Sequence, residues 1–112
     1  MMAPGFRLCF SGLELDRQQS WKTIREVYEA FADFKHVVEE VHAAGSVVVM
    51  RCTDYGTHTG VFEGVAPTGR TFKVGQIAII RIEGDQITEI REEADMLGLM
   101  QQLGAIPTPV AT

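Results

Sequence analysis

Several features are scarce in this chain, and each scarcity narrows what it can be. There are only two cysteines, Cys9 and Cys52, far apart in sequence. The three histidines show no HExxH spacing and there is no Cys-x-x-Cys pair, so no metal site is expected. The two thiols read as free, in a cytoplasmic protein. The ten Lys and Arg residues are scattered and the net charge is −5, which argues against a nucleic-acid partner. No apolar run reaches the roughly 18 residues of a membrane span, so no membrane association is expected. The start, MMAPGFRLCF, has neither the charged segment nor the long apolar core of a leader peptide. No repeat or linker divides the 112 residues, which predicts one domain over 1–112 with 105–112 as a flexible tail.

What is present has a clear period. Hydrophobic residues make up 46 %, normal for a globular chain. Phe6–Phe10 reads as a short strand. Asp16 or Ser20 caps a helix in which Trp21, Ile24, Val27, Tyr28 and Phe31 recur at helical spacing and predict a core stripe. Lys35–Ala43 alternates, with His36 and His42 expected to face outward, and Ala44-Gly45 turns the chain into a long strand, Ser46–His58. Tyr55–Arg70 is punctuated by Gly56, Gly60, Gly64, Pro67 and Gly69, which predicts a bend and a turn rather than a helix. Arg70–Glu83 and Gln86–Glu93 flank a Gly84-Asp85 hairpin, and Asp95 caps a last helix that stops at Gly104. The predicted order is β-α-β-β-β-β-α: an α+β fold with a strongly curved antiparallel sheet wrapped on a helix.

The segments Gly56-Thr57-His58-Thr59-Gly60, Pro67-Thr68-Gly69-Arg70, Arg81-Ile82-Glu83-Gly84, Asp95 and Gln102-Leu103-Gly104 resemble the recurring pattern of the SnoaL-like polyketide cyclases. These are a branch of the nuclear-transport-factor-like α+β barrels, whose sheet closes into a cone. The resemblance runs from about Phe6 to Pro107. It implies a cone-shaped barrel, and it implies a departure: the family usually begins with two helices that form a wall of the cone, and this chain starts almost at the first strand. Core surface left open by a missing wall calls for burial against a partner subunit.

The same resemblance places Glu92 where the cyclases carry an acid/base aspartate on the last strand. There the carboxylate takes a proton from an activated carbon and returns it to the new alkoxide, with no metal or cofactor. Strand parity supports the position: Ile90, Glu92 and Ala94 share one face, and a carboxylate in an apolar cavity has its pKa raised towards working pH. The neighbouring Arg91 and Glu93 allow the other reading, a charged run that simply faces water. Gln76 falls at a substrate-binding glutamine and shares a face with Phe72, Val74, Ala78 and Ile80, and Ala78 stands where the cyclases often have a histidine. Cys9 lies near a pocket histidine of the family's first strand, and Trp21 and Tyr28 would line the pocket mouth. His58 is expected to be structural.

Ile77 and Ile79 point away from Gln76, and an apolar outer face predicts a homodimer. The functional expectation is a cofactor-free cyclase or isomerase acting on a small, apolar, polyketide-like carbonyl compound. The alternative is a non-catalytic ligand-binding or dimeric scaffold protein. Ester or epoxide hydrolysis would need an Asp-Arg-Asp cluster or a nucleophile with a base, and neither is legible.

Overall fold

In a computed structural model, which describes residues 2–107, two helices pack on one six-stranded sheet. The elements are β1 (Met2–Phe10), β2 (Leu13–Asp16), α1 (Arg17–Ala30), β3 (Lys35–Ala44), β4 (Val47–Thr57), β5 (Thr71–Glu83), β6 (Gln86–Ala94) and α2 (Met96–Gln102). Their order across the sheet is β2-β1-β6-β5-β4-β3. The sheet is curved and open, not closed on itself. Residues 108–112 of the expected tail lie outside the described residues, and no helix precedes β1 among those described.

Two expectations need correction. A strand was missed: Ser11-Gly12, both at positive φ, turn β1 back into β2, an edge too short to show a period. The sheet is also not wholly antiparallel, because β1 runs parallel to β6. The parallel pairing follows from the crossover that α1 and the β3–β5 meander make before the chain returns beside β1.

The predicted punctuation otherwise sits where the residue chemistry requires it. The Asp16 side chain accepts from Gln19 N at 2.8 Å, and the Gln19 side chain returns a bond to Asp16 N, capping α1 at both orphan donors. Gly45 and Gly84 adopt φ of +59° and +62°, which side-chained residues rarely tolerate, and each closes a hairpin. Asp95 caps α2 by accepting from Gly98 N at 2.9 Å.

The core gathers at one end of the sheet. Phe31, just past α1, packs tilted against Phe62 and edge-on to Phe72 with ring centroids 5.0 and 4.8 Å away, and Ala30, Val74, Leu99 and Leu103 complete the cluster. Beside it His58 is fully buried, its Nδ1 3.0 Å from Thr68 Oγ1 and its Nε2 without a hydrogen-bond partner among the described residues. The core stripe of α1 is rotated from expectation. Ser20, Val27 and Ala30 face inward, while Trp21 and Tyr28 remain 49 % and 51 % exposed. The helix leans on β1 and β2, and Ser20, whose hydroxyl donates to Asp16 O at 2.6 Å, is small and satisfied enough to take the tight inward position. Ile77 and Ile79 are exposed on the outer face, opposite the buried Gln76 and Ala78.

The bend after β4 is fastened by backbone. Thr59 N and Gly60 N both donate to Ala30 O at 2.9 Å, satisfying a carbonyl at the end of α1. A Cβ on Gly60 would stand 2.1 Å from Glu29 O, and backbone there cannot yield cheaply. Gly60→Ala is therefore expected to lower unfolding free energy by about 1–3 kcal/mol in urea titrations. Gly5→Ala, which meets nothing within 4 Å, should stay within about 0.5 kcal/mol of wild type.

Candidate active site

Concave-face residues come from alternate positions of β3 to β6, and two register shifts decide which ones. On β3, Val38 pairs with Cys52 but Glu40 pairs with Arg51, so Glu39 is an extra residue bulged out of the ladder. The shift brings His36 opposite Asp54. On β6, Ile87 pairs with Ile82 but Glu89 pairs with Arg81, so Thr88 is bulged, and Glu92 comes to lie opposite Ala78. A slip of one residue flips every side chain to the other face.

The result is a polar group set beside the aromatic core. Asp54 is only 6 % exposed. Its Oδ1 lies 2.5 Å from His36 Nδ1, and its Oδ2 accepts from Gln76 Nε2 at 2.7 Å. A buried carboxylate with a donor at each oxygen has replaced its lost hydration. Cys52 pairs with Gln76 across the ladder and is buried; desolvation, and then the charges of Asp54 and Glu92, push its thiol pKa up, so it is a poor nucleophile.

Glu92 is treated differently from Asp54. It is half buried between Ile90 and Ala94, opposite Ala78 on β5 and Phe10 on β1. Desolvation pushes its pKa up from the usual carboxylate value; His36 opposes that shift and Asp54 adds to it. Both electrostatic partners belong to the polar group, so Glu92 is part of it. Its surroundings are apolar: Met50, Val48, Ile80 and Ile90 line the same face and are half buried.

Of the residues expected at the site, Glu92, Gln76, Ala78 and Ile90 are brought together on this face. Gln76 is satisfied by a side chain, Asp54, and not by backbone. Phe72 belongs to the filled core beside it. Cys9 is a correction: in the β1 ladder it pairs with Arg91 and Glu14, on the face opposite Glu92. Trp21 and Tyr28 stand on α1, Tyr28 edge-on to Phe34 with centroids 5.5 Å apart, and they fill nothing on the sheet. His36 is also corrected. It faces Asp54 rather than outward, whereas His42, beyond the bulge, is exposed and bonds Glu40 at 3.3 Å. Asp54 and His36 are the residues that sequence reading missed. Of two surface hollows, one is lined by Thr23, Val27, Val61 and Phe62 and the other by Lys35, Tyr55, Phe72 and Lys73; neither includes Glu92, Gln76, Asp54 or His36. Among the described residues no cluster of His, Cys, Asp and Glu could hold a metal, and no helix is long and apolar enough to cross a membrane.

Residues 14–103 match the model of the SnoaL-like polyketide cyclases. The chain belongs to that family. Aklanonic acid methyl ester cyclase DnrD of Streptomyces peucetius is 39 % identical to it over 82 residues, which cover 71 % of this chain and 57 % of the relative. The chain thus spans little more than half the length of that cyclase. AclR of Streptomyces galilaeus, provisionally assigned as a hydroxylase, superposes with a TM-score of 0.88 at 25 % identity, over 97 % of this chain and 69 % of AclR. An NTF2-like protein of Burkholderia thailandensis shares the fold alone, with a TM-score of 0.76 at 17 % identity, over 90 % of this chain and 78 % of its own. The SnoaL-like family and the α+β cone expected from the motifs are therefore borne out.

The electrostatics of Glu92 have a measurable consequence. Because folding raises its pKa, the folded chain still holds a proton that the unfolded chain has released just above the ordinary value of 4.5. Stability therefore falls as pH rises through the interval between the unfolded and folded pKa values, and the whole loss persists above it. Glu92→Gln cannot ionise. Its unfolding free energy relative to wild type should climb as urea titrations move from below pH 4.5 to neutral. A difference that stays flat with pH would show that Glu92 is solvated in the folded state.

Proposed function

We propose that this protein closes a carbon ring in a small, apolar, polyketide-like carbonyl compound, with Glu92 as the acid/base group. The supporting observation is the position of that carboxylate: desolvated, without the pair of donors that holds Asp54 among the described residues, and on a concave face shared with half-buried apolar side chains. Such a carboxylate is a stronger base than one in water. It abstracts a proton from the carbon beside a carbonyl, the resulting enolate attacks a second carbonyl of the same molecule, and the new alkoxide regains the proton. Gln76 spends its Nε2 on Asp54 and offers its remaining amide oxygen as a guide for a hydroxyl or enol of the ligand. Val48, Met50, Ile80 and Ile90 supply the apolar bed for the ring system.

Membership of the SnoaL-like family, and the name of the cyclase DnrD, favour ring closure over the other chemistries this fold hosts. The packing of α1 also favours turnover over a plain scaffold: Phe31 belongs to the core cluster, but Trp21 is half exposed and does not fill the concave face before Glu92.

Aklanonic acid methyl ester is the first substrate to try. Wild type should consume it, and Glu92→Gln should lower kcat by about 10²–10⁴, the usual worth of a positioned acid/base group, while KM moves little. Equal turnover by the two proteins would remove Glu92 from the mechanism and the ring-closing reading with it.

A further inference from the structure

We propose that His36 is the second proton-transfer residue of this site, held in the required orientation by Asp54, with Asp54 itself positioned by Gln76. The inference rests on the ring-closing reading above. It begins from an asymmetry: the Asp54 carboxylate is 6 % exposed, whereas the His36 side chain bonded to it remains 37 % exposed. A histidine that only satisfied a buried carboxylate would be expected to be buried with it. Here one ring edge is committed to Asp54 while much of the side chain stays accessible.

The tautomer follows from the partners. A carboxylate only accepts, so at 2.5 Å from Asp54 Oδ1 the Nδ1 atom of His36 must carry a hydrogen. Nε2 is left as the exchangeable position, a lone pair in the neutral ring and an N–H in the imidazolium. The chain Gln76 Nε2 to Asp54 Oδ2, then Asp54 Oδ1 to His36 Nδ1, fixes the ring plane as well as the tautomer. The charged groups that bear on Cys52 in this part of the face are Asp54, Glu92 and Glu39, with Arg51 opposing them. Both His36 and Glu92 are set on the concave face by their ladder partners, Asp54 and Ala78.

With His36 included, each proton has a place. Glu92 carboxylate takes the proton from the carbon beside a carbonyl, and the electrons of that C–H bond pass into the enolate. The enolate carbon attacks the second carbonyl carbon. A C–C bond forms, and the carbonyl π electrons end on its oxygen. The Nε2–H of His36 gives its proton to that oxygen, producing the alcohol. Glu92 then releases its proton to solvent and Nε2 takes one up from solvent, which restores the starting state. No electron is gained or lost overall.

The test uses histidine-ring nitrogen NMR on the chain together with turnover of the ester used for Glu92. In mildly alkaline buffer, wild-type His36 should show the Nδ1–H tautomer. In Asp54→Asn, Gln76 still donates to the side-chain oxygen, so the new NH₂ faces His36 and should force the Nε2–H tautomer without unfolding the site. His36→Gln should lower kcat by about 10²–10⁴ with KM within about threefold. Asp54→Asn should lose kcat together with its tautomer. An Nε2–H tautomer in wild type, or His36→Gln turning over like wild type while Glu92→Gln is inactive, overturns this proposal and leaves the ring-closing reading standing. An ester that wild type leaves untouched overturns both.

Discussion

The site depends on sheet register, and register here is set by two single-residue bulges. Counting back from the Gly45-Ser46 turn without a bulge would set His36 against Tyr55, an outer-face residue. The extra residue Glu39 sets it against Asp54. Counting on from Gly84-Asp85 without a bulge would set Arg91 against Ala78. The extra residue Thr88, whose hydroxyl donates to Arg81 O at 3.3 Å, sets Glu92 there. Each bulge leaves one residue unpaired in the ladder, and in return each aims an ionisable side chain at the concave face. Without either one, the polar group is incomplete.

Two carboxylates on that face show how the environment assigns roles. Asp54 lies deep and has a donor at each oxygen, so it is fixed. Glu92 lies at the edge of the trough, desolvated by Ile90, Ala94 and their neighbours, and its proton is held more tightly than usual. A group of the first kind orients and a group of the second kind exchanges protons. The aromatic core around Phe31 packs on the same sheet and includes Val74, the ladder partner of Asp54.

Much of this was legible in the sequence, for identifiable reasons. Asp16, Gly45, Gly84 and Asp95 are residues whose local chemistry admits few conformations, and each occupies the cap or turn it announced. Glu92 and Gln76 could be placed because strand parity holds over short distances and both lie in apolar rows. Parity failed where a bulge intervened, which is why His36 was set on the wrong face and Asp54 went unnoticed. Apolar spacing alone could not say which neighbouring stripe of α1 turns inward, so Trp21 and Tyr28 were assigned to a core that Ser20, Val27 and Ala30 occupy. The register of β1, paired with a strand about eighty residues away, could not be read locally, and Cys9 was misplaced for that reason.

Whether Glu92 faces a desolvated trough is the point on which the rest turns, and its carboxyl carbon can be followed directly by NMR through an acid titration of the folded chain. A midpoint clearly above 4.5 is the predicted result, because burial between Ile90 and Ala94 disfavours the ionised form. A midpoint at or below 4.5 would mean that the carboxylate is hydrated or paired, and would contradict its assignment as the base.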